Sequence, residues 1–241
     1  MSADESDATG SGDDRIEEAV KHTEILRLPK QTLATFGDTN IGYYIVTEPI
    51  YSDMEPKVTE TVVRKGRVVA QKPRIVTPYY LSQVEGFSPD AKRYFEKLSH
   101  EQGADTPGII YSYRNEPGGL TIIADELDSV VDKINNDIDE SGDPLVTIIK
   151  GQDELWDVSL MKFIFEITKS SFRINLMQFK SNGLLDMDDG GVPFDARKRI
   201  EELFRKVDAG VIEPSELKEE LERWGVFEEY QDRFFSIFRK N

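Results

Sequence analysis

Residues 157–181, DVSLMKFIFEITKSSFRINLMQFKS, decide the fold class, because they predict one long helix in the second half of the chain. Apart from Asp157 at its start, the charged residues of this stretch are spaced so that they fall on a single stripe of a helix with about 3.6 residues per turn. They are Lys162, Glu166, Lys169, Arg173 and Lys180. Most of the remaining circumference is apolar, so we expect the helix to be covered on several sides, by the rest of the chain or by a second copy.

Shorter helical patterns surround this long helix. Three follow it, at 194–207, 214–223 and 226–239, and each carries apolar residues on one face. An acidic helix is predicted at 125–138, and a strand follows it at 145–149. Nearer the N-terminus, Ser88-Pro89 is a typical helix start and Gly103 a typical helix end, so residues 88–103 predict another helix.

Strands are predicted mainly before residue 125, and two pairs of them read as β-hairpins. In the first, strands at 58–64 and 67–71 flank Lys65-Gly66, a two-residue connection with glycine where a tight turn needs it. This register would pair the arginine that ends one strand with the arginine that begins the next. The second hairpin has strands at 108–114 and 120–124, joined by the loop Asn115–Gly119.

These elements predict an α+β protein, with a mixed or antiparallel sheet containing hairpins in its N-terminal and central part and a helical C-terminal part. Residues 1–14 are small, polar and acidic, and we expect a disordered leader there. Residues 15–156 would form the α+β domain. Residues 157–241 would form the helical part, packed on the first as one globule.

Charge is unevenly distributed along the chain. The chain has 241 residues, 46 acidic and 30 basic, for a formal net charge of −16. Residues 57–74 hold six basic side chains and one acidic, whereas residues 124–160 hold eleven acidic and two basic. The total excludes indiscriminate binding of polyanions, because the mean field repels phosphate, but a local basic contact remains possible.

The basic segment supplies the candidate binding residues. At the tip of the first hairpin and beside it, basic side chains could contact the phosphates of a nucleotide or nucleic acid, or an acidic partner. On the second hairpin, two tyrosines share a strand face and could stack on a planar ligand. The candidates are Arg64, Lys65, Arg67, Lys72, Arg74, Tyr111, Tyr113 and Arg114.

A loop rich in aspartate is the only candidate metal site. Asp186, Asp188 and Asp189 precede Gly190-Gly191, and oxygen ligands of this kind suit calcium or magnesium. With Gly191 at the sixth position of a calcium-binding loop, however, the twelfth position is Arg197 instead of the glutamate that such loops require. We therefore favour a polar interhelix loop, and keep a divalent-cation enzyme using carboxylates as an alternative.

Other function classes lack their signatures. The chain has no cysteine and only His22 and His100, and it contains neither a nucleophile elbow nor a glycine-rich nucleotide loop. No apolar run has the length of a membrane span, and no basic start precedes an apolar run, so we expect a cytoplasmic protein without membrane contact or cofactor.

The sequence therefore favours a non-enzymatic protein that binds another protein or itself, with a homodimer through 157–181 as the specific form. Two alternatives remain: a binder of nucleotide or nucleic-acid phosphates through residues 57–74, and the carboxylate enzyme described above.

Overall fold

The computed structural model describes residues 5–49, 59–83, 94, 97 and 107–239. Its helices are α1 (Glu5–His22), α2 (Pro78–Ser82), α3 (Leu127–Ser141), α4 (Trp156–Ser181), α5 (Phe194–Asp208), α6 (Pro214–Arg223) and α7 (Phe227–Ser236), with a 3-10 turn at Ile237–Arg239. Its strands are β1 (Glu24–Arg27), β2 (Thr39–Thr47), β3 (Thr61–Ala70), β4 (Arg74–Val76), β5 (Gly108–Ile110), β6 (Tyr113–Ile123) and β7 (Val146–Lys150).

The chain forms two compact units. Unit 1 contains the described residues up to Lys72 together with Tyr111–Asn175, and unit 2 contains those of Pro73–Ile110 and Leu176–Asn241. The division runs through α4, so it does not coincide with the predicted boundary at residue 157.

Unit 1 is built on a five-stranded mixed sheet with the order β1-β7-β2-β3-β6, which confirms the predicted α+β class. Strands β2 and β7 are parallel, and the other neighbours are antiparallel. Alternate residues of each strand point to opposite faces, and each face buries an apolar helix stripe. Helix α4 packs on one face, where Tyr43 and Phe163 are fully buried, and α3 packs on the other, around Val130 and Ile148.

The long helix is confirmed, and the described chain covers only part of its apolar surface. Its sheet-facing stripe buries the apolar residues Leu160, Phe163, Ile164 and Ile167. Further along, the same stripe buries polar side chains: the Ser171 hydroxyl accepts a hydrogen bond from the Leu33 N–H at 3.0 Å. Much of the other apolar surface is exposed, so within the described chain only one side of the helix is covered.

Polar contacts on the same stripe fix the helix against the segment before β2. The Asn175 side-chain amide donates to the Leu33 carbonyl at 2.9 Å and to the Thr35 hydroxyl at 2.6 Å. Asn175 is fully buried, so these bonds satisfy an amide that would otherwise be costly to bury. They also fix the position of the helix along its axis.

The predicted first hairpin is wrong, because residues 61–70 form one uninterrupted strand, β3. Its register places Lys65 opposite Tyr44 and Gly66 opposite Tyr43 of β2. The Tyr43 ring lies directly over Gly66, where an added Cβ would overlap the tyrosine hydroxyl and crowd the Glu116 carbonyl. Glycine is therefore present to admit a neighbouring side chain and not to make a turn.

The second hairpin is also wrong, because β6 runs unbroken from Tyr113 to Ile123. Between the pair Arg64–Leu120 and the pair Gly66–Pro117, β6 has one residue more than β3. This extra residue makes a β-bulge. Proline and two glycines are tolerated here because β6 is an edge strand.

Unit 2 joins the short β4-β5 pair to the three C-terminal helices, whose predicted existence and approximate bounds are confirmed. The helices bury a shared apolar cluster. Its members include Val76, Ala196, Ile200, Phe204, Leu217, Leu221, Trp224 and Phe234.

A buried carboxylate ties this cluster together. Glu220 of α6 accepts hydrogen bonds from the Tyr80 hydroxyl at 3.1 Å and from the Trp224 indole at 3.2 Å, and it forms an ion pair with Arg199 at 3.0 Å. A carboxylate so deeply buried is stable only when it is fully partnered, so these contacts link α6 to α2 and α5.

Helix α1 begins at Glu5, so residues 5–14, expected to be disordered, are helical in the structure. Residues 1–4 and Lys57 of the basic segment lie outside the described residues, as does the predicted helix at 88–103 apart from positions 94 and 97. No helix in the described part of the chain is long and apolar enough to span a membrane.

The packing of Tyr43 against Gly66 is testable. Gly66→Ala is expected to lower the free energy of unfolding by about 1–3 kcal/mol, because the added methyl group must displace a buried ring or the β6 backbone. The control is Gly37→Ala, before β2, where an added Cβ meets nothing within 4 Å. Urea unfolding followed by circular dichroism measures both. Equal stability of the two variants would contradict the assigned register.

Candidate functional site

The predicted basic cluster is dispersed by the fold. Because β3 is continuous, Arg64 and Arg67 lie on opposite faces of the sheet. Arg64 is on the α4 side, where its guanidinium donates to the Asp153 carboxylate at 2.5 Å and lies 5.7 Å from the centre of the Trp156 ring. The side chains of this ion pair are 17% and 15% exposed, so Arg64 stabilises the fold.

The other basic residues also have intramolecular partners. Arg67 and Arg114 both form ion pairs with Glu116, and the hydrogen bond from Arg67, followed by that from Arg114, lowers the pKa of Glu116. The Lys65 ammonium lies 5.3 Å from the centre of the Tyr44 ring.

Two further basic candidates lie away from these. The main-chain N–H of Lys72 donates to Asp38 at 2.8 Å, which fixes the backbone just after β3. Arg74 begins β4, in unit 2. The structure therefore does not bring the predicted basic residues together on one surface of unit 1.

The two tyrosines anchor helix α4. The Tyr111 hydroxyl donates to the Asn175 side-chain oxygen at 2.8 Å, and the Tyr113 hydroxyl forms a hydrogen bond with Thr168. Burial, followed by the charge of Tyr113, raises the pKa of Tyr111 to about 12, and burial also raises that of Tyr113. Both rings border the apolar cluster beneath α4, so their faces are used in packing.

The three aspartates do not converge on a common point. Asp188 closes its own loop: one carboxylate oxygen accepts from the N–H groups of Gly190 and Val192, both at 2.9 Å, and the other accepts from Arg197 at 2.6 Å. The main-chain carbonyl of Asp186 accepts from the Phe194 N–H at 3.0 Å. Among the residues that the structure describes, no group of three or more histidines or carboxylates is placed to hold a metal ion.

An open sheet edge is the feature that the sequence analysis missed. Strand β6 pairs on one side with β3, and its other side has no neighbour within the described chain. Residues 117–122 are all exposed, including Leu120 at 57% and Ile122 at 52%. From Pro117 to Ala124 the sequence PGGLTIIA carries no charge, in a chain whose residues are 32% charged.

These two apolar side chains lie on the α4 side of the sheet. In the β3 register, Leu120 pairs with Arg64 and Ile122 with Val62, and Arg64 stacks on Trp156, the first residue of α4. Thr121 lies on the opposite face, with Val63.

Helix α4 presents a matching apolar row on the side of β6. One flank of the helix is tied to the region before β1, because the Lys162 ammonium donates to the Thr23 carbonyl at 2.9 Å. The other flank is marked by Thr168, which contacts Tyr113 of β6. Three exposed apolar side chains share the flank of Thr168, because they lie seven residues before it, three residues before it and four residues after it. They are Met161, Phe165 and Phe172. We call Leu120, Ile122, Met161, Phe165 and Phe172 the apolar edge surface.

No protein family matches this chain. Comparison with curated proteins and with solved structures also gives no match.

The role of Asp188 is testable through pH. Burial alone would raise the pKa of its carboxyl, but hydrogen bonds from the Val192 N–H and from Arg197 outweigh burial and lower it. The charged form therefore stabilises the fold above the unfolded pKa of about 4, and this contribution is lost as the pH falls through the folded pKa. Asp188→Asn should lower the free energy of unfolding by about 1–3 kcal/mol at pH 7 and by less at pH 3.

Asp189→Asn is the matched control, because the exposed Asp189 side chain makes no contact of this kind with the residues that the structure describes, and we expect a change below about 0.5 kcal/mol. Urea unfolding at both pH values measures the two variants. A loss in Asp188→Asn that does not depend on pH would contradict this role, and stabilisation of the unmodified protein by millimolar calcium would favour the metal site instead.

Proposed function

We propose that the protein is a non-enzymatic interaction protein of the cytoplasm that self-associates through the apolar edge surface. The observation that carries the proposal is the open half of β6, where an uncharged stretch exposes two large apolar side chains beside unpaired backbone. Exposed edges of this kind pair with another strand unless they are covered or interrupted.

The proposed occupant is β6 of a second copy, because this stretch is complementary to itself. In an antiparallel pair of these strands centred on Thr121, the two Thr121 residues face each other. Leu120 of each copy then faces Ile122 of the other copy. Apolar pairs and threonine pairs directly opposite one another are favourable in antiparallel sheets. Five residues, Gly119–Ile123, are enough for such a pair.

The α4 flank extends the same interface. The two-fold axis of an antiparallel pair of identical strands is perpendicular to the sheet, so α4 of both copies lies on the same face. The exposed flank residues Met161 and Phe165 then face the junction from both sides. This arrangement retains the helix-mediated contact that the sequence predicts and adds a strand pair to it.

The oligomeric state tests the proposal. We expect sedimentation velocity to show a concentration-dependent dimer for the unmodified chain and a monomer for Leu120→Lys/Ile122→Lys, because lysines on an edge strand oppose its pairing. Leu28→Lys is the matched control: Leu28 is 61% exposed in unit 1 but lies beyond β1, so this variant should remain dimeric. A monomer at every concentration of the unmodified chain would overturn the proposal.

Cross-linking tests the register, because the chain contains no cysteine. Thr121→Cys introduces one thiol, which should lie next to its copy in the dimer and be joined by a short bismaleimide. Val211→Cys, at an exposed site in unit 2, is the control and should not react between copies. A dimer in which the two variants cross-link equally would exclude pairing through β6.

A further inference from the structure

A polar cleft in unit 1 lies beyond the ends of its two parallel strands. Strands β2 and β7 run in the same direction and end at Thr47 and Lys150. The cleft opens there, with a volume of about 510 Å³. Small molecules often bind outside the carboxyl ends of parallel strands, and this volume lies within the usual range for such sites.

Fixed contacts hold the walls of the cleft. The Asp153 carboxylate accepts from Arg64 at 2.5 Å and from the Thr47 hydroxyl at 2.7 Å. Glu154 forms an ion pair with Arg15 at 2.7 Å. These partners largely neutralise the two acidic residues of the β7–α4 connection that line the cleft.

The backbone at the end of β7 is equally constrained. The Gly151 N–H donates to the Val46 carbonyl at 3.2 Å. An added Cβ at Gly151 would overlap the Ser159 hydroxyl, which is itself hydrogen-bonded to Thr23 at 2.7 Å. The wall of the cleft formed by the end of β7 is therefore fixed before any ligand enters, which reduces the entropic cost of binding.

The remaining charged groups of the cleft carry opposite signs. Lys150 lines it from β7, Glu48 from just after β2, and Glu18 from α1. Within the described part of the chain, none of these three side chains forms an ion pair with another residue. A cleft with one available cation and two available carboxylates matches a ligand that carries both charges better than a simple anion or a simple cation.

We propose that this cleft binds a small zwitterion of the amino-acid class, with its carboxylate on Lys150 and its ammonium group on the Glu18 and Glu48 side of the cleft. The site is independent of the apolar edge surface and of self-association. A binding role of this kind adds a ligand to the function proposed above and requires no catalysis.

The test uses the full chain and defined probes. Each of the twenty common amino acids is added in a thermal-shift assay, and those that raise Tm are measured by calorimetry. For every amino acid that binds, the amine without its carboxylate and the carboxylate without its amine are measured alongside. We expect the zwitterion to bind at least tenfold more tightly than either analogue, because each lacks one charged hydrogen-bonding partner.

Variants separate the two ends of the site. Lys150→Met and Glu48→Gln should each weaken binding of the zwitterion at least tenfold. Of the three probes, the amine analogue should lose the least affinity in Lys150→Met, because it has no carboxylate. The carboxylate analogue should lose the least affinity in Glu48→Gln, because it has no ammonium group. Lys218→Met in unit 2 is the control and should bind like the unmodified chain. Far-UV circular dichroism establishes that each variant is folded, and using two variants keeps the test valid if one is not.

Several results would overturn the proposal. One is the absence of any amino acid that binds at millimolar concentration. Another is a carboxylate analogue that binds as tightly as its zwitterion, since the cleft would then be a simple anion site. Unchanged binding by both Lys150→Met and Glu48→Gln would place the ligand elsewhere. Ile122→Lys alone, at a position paired with Val62 and not with Arg64, should bind the zwitterion normally, so failure of the dimer and failure of the ligand site can be told apart.

Discussion

The packing of Tyr43 over Gly66 is the contact on which unit 1 depends. Tyr43 is fully buried, and its hydroxyl donates to Asn115 at 3.1 Å, so one side chain from β2 crosses β3 and reaches β6. Its burial raises the pKa of its hydroxyl, although the bond to Asn115 opposes this shift. With β3 held as a central strand, the sheet has two faces, and α3 and α4 each bury a stripe against one of them.

The uneven charge of the sequence is explained by the same arrangement. The basic segment lies mostly in a central strand, and part of the acidic region at 124–160 folds back beside it. Arg64 is neutralised by Asp153 of that region, and Arg27 by Asp139 at 2.6 Å. These two partly buried arginines are therefore each paired with a carboxylate of the acidic region, as expected for groups that are costly to leave without a partner.

The sequence predicted elements whose signal is local and misassigned those that depend on distant contacts. Helix α4 follows from its own periodicity, and the three C-terminal helices from theirs. Lys65-Gly66 and Pro117–Gly119 resemble turns, but glycine also serves where another residue approaches closely, and proline is accepted at a sheet edge. Neither the approach of Tyr43 nor the edge position of β6 can be read from neighbouring residues. The apolar edge surface was missed for the same reason, since it exists only once β6 is one strand.

The two edges of the sheet differ in a way that would limit the proposed self-association to a pair. Strand β1 has four residues and an irregular register between Ile25 and Arg27, so it offers little backbone to a second chain. On β6, Pro117 and the bulge interrupt the first half of the strand and leave Gly119–Ile123 open. If both edges were open, β6 of one copy could pair with β1 of the next and the sheet would grow without limit. With a single open stretch that is complementary to itself, the proposed pairing would use the same surface on both copies and end at two.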